Sequence, residues 1–88
     1  MLIDVAGISS ATELHQVLAK SFGFPDFYGM NWDAFWDTVT GLSSLPREVT
    51  FANWKALESN LPEDARILRE LLDQYPAADP IFHVAYQN

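Results

Sequence analysis

The sequence has no cysteine, which excludes a disulfide framework and thiolate chemistry. A chain of 88 residues without such staples must hold itself together by packing, and its apolar share of 49 %, with 14 % aromatic, supports one modest core and argues against disorder. Positive charge is scarce. Five Lys and Arg face twelve Asp and Glu, a net charge of −7. Such a surface repels phosphates, which argues against direct binding to nucleic acid or to an anionic membrane. It suits a basic protein partner and also serves solubility. No apolar run approaches the length of a membrane span. The opening MLIDVAG has no basic region ahead of an apolar one, so no signal peptide is expected. With cysteine absent as well, the expected location is the cytoplasm. Repeats, low-complexity tracts and linkers are lacking, so residues 1–88 are expected to form a single domain. The H-E-x-x-H, Walker, GxGxxG and GxSxG patterns are also missing, and no cofactor or metal is expected.

What is present alternates strand and helix signals. Residues 2–5, LIDV, read as a short strand. Ser10-x-x-Glu13 is a capping-box pattern in which the serine bonds the Glu13 amide and the glutamate reaches back. Leu14, Val17, Leu18 and Phe22 then recur at helical spacing, which predicts a helix over 11–22 ended by Gly23. FPDFYG is a loop, with Pro25 holding Phe24 extended. Asn31 is a good N-cap for a second helix over 32–40, ended by Gly41. After the loop LSSLP, REVTFA alternates as a half-buried strand. Asn53 is expected to cap a short helix over 54–59. Pro62 opens a fourth helix, with Glu63 and Asp64 at its positive end and an apolar stripe of Ile67, Leu68, Leu71 and Leu72. YPAADP breaks the chain, and IFHVAY is a last strand. The expected fold is α/β: a small three-stranded parallel sheet packed with about four helices.

The second helix carries an unusual constellation. FYGMNWDAFWDTVTG, residues 27–41, holds two Asp, two Trp, two Phe and a Tyr with no basic residue. At helical spacing Trp32, Phe35, Trp36 and Val39 share one face, Asp33 and Asp37 lie on its flank, and Ala34 and Thr38 fall on the far side. Phe35 and Val39 are the expected core residues; the indoles suit a boundary. Asp33 is favoured by the helix dipole, but Asp37 gains little from it, and the i,i+4 pair repels by a few tenths of a kcal/mol. Charge spacing alone allows a solvated acidic edge. The interleaved aromatics raise the alternative, a docking surface for a basic site. Two carboxylates with no nucleophile or further ligand do not make an active site or a metal centre, so no catalytic residues are expected. His15 reads as a surface or boundary residue and His83 as outward-facing or hydrogen-bonded. Arg66 with Glu70, and Arg69 with Asp73, are i,i+4 ion pairs on a solvated face.

L-H-Q, then F-P-D-F-Y-G, then N-W-D-A-F-W-D-x-x-T-G, within residues 13–41, resemble the barstar family of small intracellular inhibitors of a secreted bacterial ribonuclease. LPREVTFANW and LREL extend the resemblance with less specificity. It implies a three-stranded parallel sheet and a non-enzymatic inhibitor whose second helix and preceding loop plug a nuclease active site. By motif position Asp37 stands in for a substrate phosphate and Asp33 is a second acidic contact. Trp36, Gly29, Asn31, Trp32 and Gly41 fall around the contact surface, and Glu70 matches an outlying acidic contact. Two contact positions depart from the family pattern. Phe27 replaces a stacking tyrosine, and Leu42 replaces a tryptophan. The family's prototype has a cis proline where Leu45–Pro46 stands, which leaves that bond open to either isomer. The partner so implied is a basic bacterial ribonuclease or a related toxin nuclease, bound by a protein that is monomeric when free. The alternative is an interaction module whose acidic patch binds some other basic protein.

Overall fold

Short strands and singly striped helices can bury their apolar sides only against one another, and here they do so on one face of a small sheet. A computed structural model describes residues 1–42, 44–77 and 79–88. Ser43 and Ala78, which fall in two of the expected loops, lie outside the described residues. The chain runs β1 (Leu2–Asp4), α1 (Ala11–Phe22), α2 (Trp32–Asp37), β2 (Glu48–Ala52), α3 (Trp54–Asn60), α4 (Pro62–Gln74) and β3 (His83–Tyr86), with a π-helical turn at Thr38–Leu42 and a 3-10 turn at Tyr75–Ala77. The strands pair in parallel in the order β1-β2-β3, as helical crossovers require.

The register sets Ile3 beside Phe51, and Phe51 beside Tyr86. Ile3, Val49 and Phe51 are buried on this face, and the core continues into Leu14, Leu18, Phe35, Leu57, Leu68 and Leu72 from the helices. The opposite face, with Leu2, Asp4, Glu48, His83 and Ala85, is exposed. His83 therefore points outward, as expected.

The ends of α1 match their sequence signals. The Ser10 side chain accepts from the Glu13 amide at 3.1 Å, and Gly23 closes the helix in the left-handed region at φ 69°. Only half of the capping box forms, because the Glu13 carboxylate instead accepts from the Ser9 hydroxyl at 3.1 Å and from Ser10. Ser10→Ala is expected to cost about 1 kcal/mol, read as a lowered urea midpoint. Pro62 opens α4 as expected, with Glu63 and Asp64 in its first turn.

Local expectations are corrected at Gly41, Thr38 and Asn53. Gly41 does not stop the second helix: α-helical geometry gives way at Thr38, whose amide is shared between the carbonyls of Ala34 and Phe35, and a π-helical turn carries the chain through Gly41 to Leu42. Thr38 is buried, because this widened turn draws it into the core. Asn53 does not cap α3 with its side chain. It sits in the left-handed region at φ 62°, where the capping geometry is lost, and its Nδ2 donates instead to Asp4 Oδ1 at 2.9 Å. The Leu45–Pro46 bond is trans.

Candidate functional site

The loop before α2 is anchored by alternate aromatic side chains. Phe24 and Tyr28 turn inward and are buried, with ring centroids 4.9 Å apart, and Phe24 meets Phe35 of α2 edge-on. Phe27, between them in the loop, is 76 % exposed, the highest among the large hydrophobic residues described. At the loop's end Asn31 Oδ1 caps α2 by accepting from the Ala34 amide at 2.7 Å, while its Nδ2 donates to the Gly29 carbonyl at 3.1 Å. A Cβ on Gly29 would lie 3.1 Å from that of Ala34, so a glycine here lets the loop pass close over the helix. Met30 adopts φ 57°. A side chain held in the left-handed region costs of order 1 kcal/mol, and such strain gathers in binding loops.

The helix that follows presents the acidic and aromatic residues together. A cleft of about 580 Å³ lies between α2 and α4, lined on one side by Trp32, Asp33, Trp36 and Asp37 and on the other by Ile67, Leu71 and Gln74. Both indoles are half-buried and both carboxylates exposed. Among the described residues neither Asp33 nor Asp37 enters an ion pair, and no basic residue lines the cleft. This arrangement offers two negative charges, uncompensated among the described residues, beside flat apolar surfaces, a combination whose chemistry suits a guanidinium or another cation. It offers no nucleophile, and no group of metal-binding side chains occurs among the described residues.

Not every expected contact residue meets at this cleft. Gly41 and Leu42 lie beyond the C-terminal end of α2 in the π-helical turn, Leu42 being 62 % exposed. Glu70 lies on another side of α4, in a groove shared with Glu58, Arg66 and Asp73, and pairs with Arg66 at 2.7 Å. Arg66 also bridges Glu63, which holds the Glu63 carboxyl below the usual carboxylate range. The expected Arg69–Asp73 pair does not form. The Arg69 guanidinium instead sits 4.3 Å from the centre of the Tyr86 ring on β3.

The structure also contributes residues that spacing did not single out. Ile67 and Leu71 read as core, yet they are only half-buried and face the indoles across the cleft. Asp64 read as a dipole-stabilising acid; its Oδ1 accepts from Trp32 Nε1 at 2.9 Å. His15 is not at the surface. It is 2 % exposed, with Nδ1 2.6 Å from the Tyr28 hydroxyl, and burial lowers its pKa from the ordinary histidine value.

Comparison with known proteins adds two findings. Residues 1–86 match the family described as Barstar (barnase inhibitor). The chain is also similar to "Putative ribonuclease inhibitor YrdF" of Bacillus subtilis (strain 168), with 31 % identity over 74 residues, covering 84 % of this chain and 81 % of the relative.

Proposed function

Because the chain belongs to the barstar (barnase inhibitor) family, we propose that it is a ribonuclease inhibitor that closes the active site of a basic bacterial ribonuclease, or a related toxin nuclease, with α2 and the loop before it. One observation carries this reading: Asp33 and Asp37 stand exposed and, among the described residues, unpaired, one turn apart beside two half-buried indoles, on a helix capped and anchored at its start. Their mutual repulsion is left in place in the free protein and is relieved by a cationic partner.

In this reading Asp37 takes the place of a substrate phosphate among the enzyme's cationic side chains, and Asp33 makes the second acidic contact. Trp36 and Trp32 supply flat apolar area, while Phe27 and Leu42 extend the surface at either end of the helix. Gly29 and Asn31 hold the loop against it. Glu70 is an outlying contact whose engagement competes with Arg66. The protein acts without catalysis, as an immunity-type or antitoxin partner in the bacterial cytoplasm, and is monomeric when free. Among the described residues no helix is long and apolar enough to cross a membrane.

Charges placed this way steer encounter, so the association rate with a basic ribonuclease is expected to fall steeply from low to moderate salt. Stopped-flow mixing at several ionic strengths measures this. An association rate indifferent to salt would overturn the electrostatic mode. Gly41 separates a folding role from a contact role. It is exposed, with no atom of the described residues within 4 Å of where a Cβ would stand, so Gly41→Ala should leave the urea midpoint nearly unchanged. Any loss of inhibition in that variant then reports contact with the partner.

A further inference from the structure

The binding surface is held by residues that lie outside it. His15 projects from α1, 2 % exposed, and its Nδ1 lies 2.6 Å from the Tyr28 hydroxyl. That hydroxyl is also 3.4 Å from the carbonyl of Asn31, the residue that caps α2. The His15 ring packs against Trp32 at a centroid distance of 4.4 Å. Trp32, the first residue of α2, uses its indole N–H on Asp64 of α4 at 2.9 Å, so that polar edge is turned inward and is not offered to a partner. Hydrogen bonds and one ring contact thus tie α1, the loop, the start of α2 and α4 together where Asp33 begins the acidic surface.

We propose that His15 and Asp64 are positioning residues for partner binding: they hold Tyr28 and Trp32, and through them the loop and the first turn of α2, and the hold weakens when His15 takes up a proton. This rests on the reading of the loop and α2 as the binding surface.

The charge balance around His15 gives the direction. The Tyr28 hydroxyl faces it from the loop, and burial pushes that phenol up to about 12, so it stays neutral throughout. Trp32 faces it from α2 and carries no charge. Asp64 on α4 favours the imidazolium, but the loss of water around a buried ring outweighs it and the His15 pKa is lowered. A histidine whose pKa is lowered in the closed state binds a proton more tightly once released. The hold is therefore complete above the ordinary histidine value of about 6.5 and weakens as pH falls from there towards the lowered one.

The test uses the full chain, first without any nuclease. Nuclear magnetic resonance follows the two imidazole rings and the amides of residues 27–31 through a pH titration, with the exposed His83 as internal reference. The loop amides are expected to shift and lose exchange protection in step with His15 and not with His83. The His15→Gln variant, neutral at every pH, should abolish that response. Tyr28→Phe, which removes only the hydroxyl, should uncouple the loop from His15 and keeps the test open should His15→Gln fail to fold. Loop amides that ignore His15, or a response that persists in both variants, overturn the proposal. Inhibition of a barnase-type ribonuclease then compares wild type with His15→Gln and Asp64→Ala. The wild-type advantage over His15→Gln should shrink severalfold as pH drops below that window, with the enzyme's own titration common to both. Asp64→Ala, which removes the acceptor of the Trp32 indole N–H, should weaken inhibition at neutral pH, and inhibition equal to wild type overturns the role of Asp64. No inhibition at any pH overturns the binding role of the surface instead, and the resonance arm still decides the coupling.

Discussion

Replacing Asp37 by alanine is expected to remove most of the inhibition and none of the fold. The carboxylate is exposed and, among the described residues, makes no hydrogen bond and no ion pair, so nothing in the free protein depends on it. Its removal relieves the repulsion from Asp33, and stability should stay level or rise by a few tenths of a kcal/mol. Affinity behaves in the opposite way. A charge seated in a desolvated cationic site leaves its partners unpaired when it is deleted. A loss of at least about 2 kcal/mol, or roughly thirtyfold, is the scale for such a central residue. Asp37→Asn, which keeps the shape, should lose nearly as much. Inhibition constants and thermal midpoints measured on the same preparations separate the two effects. An Asp37→Ala variant that inhibits like the wild type would show that the partner docks elsewhere.

Phe35→Ala should do the reverse, unfolding the surface from beneath. Phe35 has no exposed area and meets Phe24 and Trp32 edge-on at 5.8 and 5.6 Å. An α-helix as short as Trp32–Asp37 has no stability of its own, so this burial is what keeps it in place. Deleting a buried phenylalanine costs about 3–5 kcal/mol, a large part of the roughly 4–13 kcal/mol available to a domain of this length. The urea midpoint should drop sharply, and inhibition should fall in proportion to the unfolded fraction. A midpoint equal to the wild type would contradict the account of the core. The contrast between the two variants matters because both sit on one short helix. One loses binding at constant stability, and the other loses binding through stability.

Much of this was legible from local spacing. The bounds of α1 follow from Ser10, the apolar repeat and Gly23, and each signal acts within a few residues of the feature it controls. The inward face of α2 and the turn after it was legible for the same reason: Phe35 and Val39 are buried, and the indoles lie at the boundary. The errors arise where a distant residue decides the outcome. His15 looks like a boundary histidine on its own helix, and its burial depends on Tyr28 and Trp32, which close over it from the loop and the next helix. Asp64 looks like a dipole partner, and its link to Trp32 spans 32 residues. Arg69 has an i,i+4 acid available but packs on Tyr86, because β3 lies beside α4. Gly41 carries a helix-stop signal, yet the chain continues as a π-helical turn that seats Thr38 and Val39 in the core. The acidic cleft was half legible. Its α2 side is one motif, whereas Ile67, Leu71 and Gln74 join it only through tertiary packing.

Inhibition itself is read from RNA cleavage by a barnase-type ribonuclease, titrated with this protein at low salt. Cleavage is expected to fall linearly and to vanish at one molecule of protein per enzyme. Cleavage that continues undiminished in the presence of a large excess of the folded protein would contradict the inhibitory role.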